Sequence, residues 1–376
     1  MNFATLPRTA FHEISRAEAI PAVAAPPHCE VLVDSQCPAN WDEVAASFDD
    51  VNYDQTATFS NLIWGEARMS RIILRQGDAI IAAARAAIIT LPGLPKGIAF
   101  MRGGPMWRRH GSPVDSAIYR SAVAAVQAEY CTRRGHHMVI TPRFDPHYAP
   151  LEAEMLKDAG FAIRRKSSDP NRYFVNLQVT QDQQMASLDQ GWRRNLKKAR
   201  TNGFEIGLCE SQADIDCFIE LNRTMLRRKK FLDSGNVLQL PKLVRGLPSE
   251  LRPVIVLARH QGKPVVGAAI TFIGDGAHYL FGASDDSMLP LKGGYALQWW
   301  IIDWLTKKRF KWYDLGGDSL SEGLRQFKRG LVGKQGRVLE ANVEWEFTGS
   351  ASGRLAAETI FAMRAVKRAY MKRLAG

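Results

Sequence analysis

The sequence predicts an α/β protein built from two tandem lobes, each a mixed sheet with helices, related to one another by duplication. Three observations predict it. One order of elements, hairpin then strand then helix then strand, is written twice along the chain. The two copies share a local match, Gln76-Gly77-Asp78-Ala79-Ile80-Ile81-Ala82 against Gln261-Gly262-Lys263-Pro264-Val265-Val266-Gly267. The chain also has 376 residues, 46% of them hydrophobic, which is length and apolar content for two cores rather than one.

The first copy begins after a Pro-broken leader, residues 1–28, in which Glu13, Glu18 and Pro21, Pro26 and Pro27 exclude the uninterrupted apolar core of a signal peptide. Trp41 to Phe48 predicts a helix. Arg71 to Arg75 and Ala79 to Ile89 are apolar runs around a Gln76-Gly77-Asp78 turn, and so predict a hairpin. Ile98 to Arg102 reads as a strand ended by Gly103-Gly104-Pro105. Ser116 to Arg134 has helical periodicity closed by Gly135, and His136 to Thr141 is a strand stopped by Pro142. The second copy repeats this with strands at Val254–Arg259, Val265–Phe272 and His278–Gly282, a helix at Tyr295–Lys308, and a strand at Lys311–Leu315 ended by Gly316-Gly317. Between the copies, Gln183 to Ala199 and Ala213 to Lys230 each read as a helix. The expected division is a leader at 1–28, a first lobe at 29–170, a second lobe at 171–348 and a basic C-terminal helix at 349–376.

Fifty Lys and Arg against 38 Asp and Glu give a formal charge of +12, a surface that attracts nucleic acid, phosphorylated small molecules or an acidic membrane face. The five cysteines are odd in number and no pair has CxxC spacing, which argues against a zinc site or a disulfide framework and for a reducing compartment. The longest apolar run, Ala79 to Ile89, contains Arg85 and is too short to span a bilayer. The expected location is the cytoplasm, extending to the inner membrane surface. His136 and His137 lie in a strand without metal-spaced partners, and no metal site is expected.

Four stretches carry a resemblance to a known family. Trp192-Arg193-Arg194-Asn195-Leu196-Lys197-Lys198-Ala199, followed by Gly203, is similar to a basic helix of the Fem-type acyltransferases, the peptidoglycan bridge-forming aminoacyltransferases and their relatives. Lys311-Trp312-Tyr313-Asp314-Leu315-Gly316-Gly317 resembles their Tyr-Asp-hydrophobic-Gly-Gly strand end. Phe327-Lys328-Arg329-Gly330-Leu331 resembles their Phe-Lys-x-x-Phe element, with Leu331 in place of the final Phe. Arg102-Gly103-Gly104-Pro105 resembles a first-lobe Arg-Gly-Pro loop. The matches run in order from about Thr58 to Glu340. The resemblance implies two lobes like those of the GNAT acyl-CoA N-acyltransferases, with a cleft between them. It implies an acyl-CoA or an aminoacyl-tRNA as donor substrate, no tightly bound cofactor, and an amine of a cell-envelope precursor, peptidoglycan or polysaccharide, as acceptor. A long coiled-coil arm, a feature of the bridge-forming enzymes, is not evident in this sequence.

Acyl transfer to an amine requires that the amine lose a proton, that the carbonyl oxygen be stabilised as charge develops, and that an anionic carrier be held. No Gly-x-Ser-x-Gly elbow is present, so direct transfer is expected. Lys328 is the first candidate, as a cation for a phosphate or an oxyanion. Asp314, at a strand end before two glycines, is the second: an acid there orients an amine, acts as base, or simply caps the Gly316-Gly317 turn. Asp318 is an alternative for the same role. Lys292-Gly293-Gly294 precedes a helix whose free N–H groups favour anions. Arg193, Lys197 and Arg200 share a helix face, with Trp192 as an aromatic platform next to them, a cluster that suits carrier phosphates or stands as a solvated basic face. Phe327 and Arg329 flank Lys328 and are expected to contact substrate. Trp299, Trp300 and Trp304 have the spacing of a core-facing stripe. The tail from Arg354 to Lys372 is basic and amphipathic, with Phe361, Ala365 and Val366 expected on one face; it suits a peripheral membrane contact or packing on its own lobe. The competing reading is a non-catalytic RNA-binding or assembly module that keeps the fold alone.

Overall fold

The structure, a computed structural model, describes residues 29–166, 171–209, 211–229, 237–317, 322–340 and 343–375. The leader at 1–28 and Asp318 lie outside the described residues.

The first half contributes β1 (Glu30–Val33), α1 (Trp41–Ala46), α2 (Ala57–Trp64), β2 (Met69–Gln76), β3 (Ala79–Thr90), β4 (Gly97–Arg102), α3 (Ser116–Val126), β5 (His137–Thr141), α4 (Ala149–Asp158) and β6 (Ala162–Lys166). The second half contributes β7 (Asn171–Asn176), α5 (Gln181–Ser187), α6 (Gln190–Arg200), β8 (Glu205–Leu208), α7 (Gln212–Lys229), α8 (Leu240–Gly246), β9 (Val254–His260), β10 (Lys263–Ile273), β11 (Gly276–Ser284), α9 (Gly293–Lys307), β12 (Trp312–Gly317), α10 (Glu322–Val332), β13 (Arg337–Glu340), β14 (Val343–Thr348) and α11 (Ala351–Ala375).

Two seven-stranded mixed sheets result, ordered β1-β2-β3-β4-β5-β14-β6 and β8-β9-β10-β11-β12-β7-β13. Position by position the two orders correspond. Both have an antiparallel meander, one parallel pair (β4 with β5, β11 with β12) and an antiparallel sixth strand. The duplication is therefore present in the topology. The sixth strand, however, is exchanged: β7 follows β6 in the chain but joins the second sheet, and β14 follows β13 but returns to the first. This corrects the expected second lobe of 171–348, because residues 343–348 complete the first sheet and α11 packs on β4, β5 and β14. An exchanged strand has no local sequence signature, since its pairing partners lie about as far away in the chain as the lobe is long.

A second correction concerns the helix expected over Gln183–Ala199. It is two helices, α5 and α6, broken at Leu188-Asp189, both of which have extended backbone. Leu188 is buried, while the N–H of Asp189 turns to bond the carbonyl of Gly330. Tertiary contacts there outweigh a continuous helical pattern.

The lobes are clasped. Leu243, Leu247 and Leu251, from α8 and the turn after it, lie in one apolar cluster with Trp41, Phe48, Ile73 and Met106 of the first lobe. The buried Arg143 guanidinium donates to the carbonyls of Asp49 (2.7 Å) and Ile273 (3.2 Å), one in each lobe. Gly274 has φ +58°, and a Cβ there would stand 1.7 Å from the Asp49 carbonyl oxygen, so only glycine allows this approach of the two backbones.

Beneath the clasp, Glu152 on α4 is buried and accepts a hydrogen bond from the indole N–H of Trp107 (2.9 Å). Burial pushes its pKa up to about 7, and the neighbouring Asp50 adds to the rise. An acid whose pKa is raised on folding lowers stability as pH climbs from its unfolded value, and the loss is complete above the folded one. Glu152→Gln keeps the acceptor and removes the charge. We expect it to match wild type near pH 4.5 and to exceed it by about 1–3 kcal/mol near pH 8, read from urea unfolding at both pH values. Equal stability at the higher pH would show that Glu152 is not protonated in the folded state.

Candidate active site

The parallel pair of the second sheet opens. β11 and β12 pair at Gly276–Trp312, Ala277–Tyr313 and His278–Asp314, and no further, although β11 continues to Ser284 and β12 to Gly317. The equivalent pair of the first lobe stays closed over five residues, from Ile98–His137 to Arg102–Thr141. Two irregularities drive the splay. Leu280 is an extra residue in β11 against β10, where Ile270 faces Tyr279 but Ala269 faces Phe281. Leu315 and Gly316 together oppose a single residue of β7, since Asp314 faces Phe174 and Gly317 faces Arg172. Such bulges bend a strand and end its pairing. The second needs glycine, because Gly316 has φ +79°. Asp314 fixes it, accepting the Gly316 N–H on Oδ1 at 2.8 Å.

The wedge opens into a cavity of about 290 Å³ between the lobes. Its charged and imidazole lining comes from both sides: Asp54 and Arg102 from the first lobe, Arg172 and His278 from the second. Gly103, Gly316 and Gly317 line it as backbone. Gln55, wholly buried, sets the first-lobe wall, donating to the carbonyls of Arg85 (3.1 Å) and Arg102 (2.7 Å).

Asp314 is 2% exposed and both its oxygens are engaged. Arg172 reaches them through Nε (3.0 and 2.8 Å) and Nη2 (2.6 Å). Burial alone would raise the pKa of this carboxyl, but Arg172, His278 and the Gly316 N–H outweigh it and hold it below the usual range. Asp314 is thus a fixed anion that aims Arg172 into the cavity. His278 is pushed down to about 4 by burial, with Arg172 and Lys328 repelling its charged form against the attraction of Asp314. It is a neutral imidazole near pH 7.

Lys328, on α10, is buried and donates to the Gly317 carbonyl at 2.8 Å. A methyl placed on Gly316 would lie 3.8 Å from its Nζ and 3.9 Å from His278 Nε2. Lys328 and His278 therefore flank Gly316, with Lys328 behind the Gly316-Gly317 wall rather than on the cavity surface. On the opposite wall Asp54 has a carboxylate 3.3 Å from Arg102, with Oδ1 accepting no hydrogen bond among the described residues. Burial raises its pKa, against the pull of Arg102 and Arg172.

Asp314, Lys328, Gly316 and Gly317 are therefore brought together. The other expected site residues lie apart from the cavity. Arg193 is committed to the carbonyls of Ala186 and Leu188 at the end of α5, and Lys197 is exposed on the outer face of α6. Trp192 is no platform beside them: it is 3% exposed, packs on Tyr295 and Phe327, and donates to the Phe327 carbonyl. Phe327 is accordingly a packing residue between α6, α9 and α10, and Arg329 is exposed. Lys292 takes the N-cap position of α9 with φ 63°, Gly293 is pressed against Val266 and Phe204, and Gly294 is open on its Cβ side. His136 accepts the Gly97 N–H, a structural bond. Among the described residues no group of three or more His, Cys, Asp or Glu side chains is placed to hold a metal.

Sequence reasoning missed Arg172, His278 and Asp54. His278 was visible only as a strand residue. Arg172 meets Asp314 across 142 positions through the exchanged strand, and Asp54 sits in a short turn, so neither had a local signal.

A family model for the acetyltransferase (GNAT) domain matches residues 186–329, the segment that contains the wedge, Asp314 and Lys328. The fold is also that of a solved structure of FemX, with a TM-score of 0.68 at 14% identity over 85% of this chain and 97% of that one. A conserved protein of unknown function from Bacteroides thetaiotaomicron VPI-5482 superposes with a TM-score of 0.53 at 14% identity, over 84% of this chain and 99% of that one. No curated protein sequence matches. Residues 186–329 thus carry a GNAT acetyltransferase domain, and it forms the second-lobe side of the interlobe cleft. The two-lobed arrangement as a whole is a fold it shares with FemX.

Proposed function

We propose that this protein is an N-acyltransferase that moves an acyl or aminoacyl group by direct transfer from a carrier, acyl-CoA or aminoacyl-tRNA, to an amine of a cell-envelope precursor. The observation that carries the reading is the opening of β11 from β12 at His278 and Asp314 into a cavity faced by Arg172, His278 and Asp54. Unpaired strand backbone at such a wedge offers N–H and C=O groups to an extended acyl carrier, as an exposed sheet edge does to a peptide. The first lobe lacks the wedge, so the donor enters on the second lobe and the acceptor amine on the side of Asp54 and Arg102.

In this reading the amine nitrogen attacks the carbonyl carbon, the C–N bond forms and the carrier's C–O or C–S bond breaks. Asp54 takes the proton released from the amine. Arg172, aimed into the cavity by its pairing with Asp314, stabilises the oxygen as charge develops, and Lys328 holds the Gly316-Gly317 wall in place through the Gly317 carbonyl. His278, neutral, serves as a hydrogen-bonding partner without adding charge. The exposed bases of α6, Arg194, Lys197, Lys198 and Arg200, provide positive surface for the phosphates of either carrier. The envelope acceptor rests on the Fem-like resemblance of the motifs.

The test is donor binding by thermal shift with acetyl-CoA, longer acyl-CoA, aminoacylated tRNA and uncharged tRNA, on wild type and Lys328→Ala. A saturable shift with acyl-CoA alone supports the thioester donor. A preference for aminoacylated over uncharged tRNA, weakened by salt, supports the tRNA donor. In either case the lysine change should weaken the shift. No binding to any of the four would overturn the reading in favour of a fold-only module.

A further inference from the structure

Helix α11 runs for 25 residues, about 37 Å, and its described contacts with the first lobe reach as far as Arg364, whose guanidinium lies 5.6 Å from the Trp64 ring. Ala356, Ala357 and Ile360 are buried on the first lobe, and Arg164 stacks on Phe361. Ile360 is the last residue of the helix described as buried. Beyond it Ala362, Met363, Ala365, Val366, Ala369 and Tyr370 are exposed. Phe361 thus faces the lobe, contrary to the expected face of Phe361, Ala365 and Val366.

A second apolar face points away from the protein. Leu355, Met363, Val366 and Tyr370 are 67%, 58%, 69% and 62% exposed. At 100° per residue they fall within roughly 80° of one another around the helix. From Arg364 to Arg373 the sequence holds five bases, Arg364, Lys367, Arg368, Lys372 and Arg373, and no acid. An unpacked helix of about a dozen residues is marginal in water, and one that keeps a row of large apolar side chains in solvent is costlier still.

We infer that the outer face of α11 lies in the interface of an anionic lipid bilayer, with Leu355, Met363, Val366 and Tyr370 entering the headgroup–acyl boundary. Charge decides the occupant. A second copy of the helix would set one run of bases without acids against another, and an RNA would match the charge but leave the apolar row uncovered. An anionic bilayer satisfies both at once. Among the described residues no helix is long and apolar enough to cross a membrane, so the contact is in-plane. The inference stands apart from the acyl-transfer reading, since it uses no cleft residue.

The experiment is co-sedimentation of the full chain with vesicles of phosphatidylcholine, and with vesicles in which about a third of the lipid is phosphatidylglycerol, in low and high salt, beside Val366→Asp/Tyr370→Asp. These side chains are exposed, so the variant should keep the wild-type melting temperature. We expect binding to the anionic vesicles only, weakened by salt, and reduced by roughly tenfold or more in the variant. Three results would overturn the inference: binding to neither vesicle, equal binding by wild type and variant, or self-association without lipid that the variant abolishes. Binding to RNA in place of anionic vesicles, tested by adding tRNA, would do so as well.

Discussion

Asp54→Asn is expected to lower the rate of acyl transfer by about 10²–10⁴ while leaving the melting temperature unchanged or higher, a combination that separates a chemical role from a structural one. The argument starts from the carboxylate's surroundings. Asp54 lines the interlobe cavity with one oxygen unbonded among the described residues and Arg102 at 3.3 Å, and burial raises its pKa. A carboxylate in that condition is unfavourable for folding and useful for catalysis, because a raised pKa makes it a stronger base toward an incoming ammonium. Asparagine removes the buried charge and leaves Arg102, whose side chain is 48% exposed, free to hydrate. The wild-type stability contribution has the sign of a raised acid: it falls as pH climbs through the folded pKa, and the variant loses that fall. Single-turnover transfer from the donor identified by binding, read against pH, checks the prediction. A large drop in melting temperature alongside the rate would make Asp54 a structural residue, and an unchanged rate would move the base elsewhere.

The sequence was informative where structure is local. The hairpin turns at Gly77 and Gly262, the strand-end bulge at Gly316 and the helix closed by Gly135 all sit at positive φ, and each is written in the residues themselves. So were Asp314 and Lys328, because the strand end and the helix that carry them recur as short motifs. What could not be read was whatever depends on exchange between the lobes. β7 brings Arg172 to Asp314 and β14 brings the end of the chain back to the first sheet, and neither has a pattern that names its partner. Trp192 shows the converse error. A tryptophan beside a run of bases reads as a nucleic-acid platform, yet the helix turns it inward onto Tyr295 and Phe327 and leaves the bases outside. Periodicity of the apolar positions, Trp192, Leu196 and Ala199, was the signal that would have placed it.

Arg172→Met should be the most destabilising single change in the site, by about 3–5 kcal/mol near pH 7, because it strands a buried carboxylate. Asp314 is 2% exposed, and apart from Arg172 its described partners are the Gly316 N–H and the neutral His278. In wild type the carboxyl's folded pKa is depressed, so its contribution is present above the ordinary carboxylate pKa and is lost as pH falls through the lower folded value. Without the guanidinium, burial dominates and the folded pKa moves above the unfolded one. The sign then inverts, and the variant should gain more stability than wild type as pH is lowered from about 7 toward 5. His278 reinforces the inversion, because Arg172 is one of the two cations that hold its pKa down to about 4; with that repulsion gone, a protonated imidazole can pair with Asp314. Urea unfolding of Arg172→Met, Asp314→Asn and the double variant across that pH range checks both points. The double variant should recover most of the loss at pH 7, since removing both partners strands no charge. If the single arginine variant instead shows wild-type pH dependence, Asp314 is hydrated through the cavity, and the ion pair directs Arg172 without holding the second lobe together.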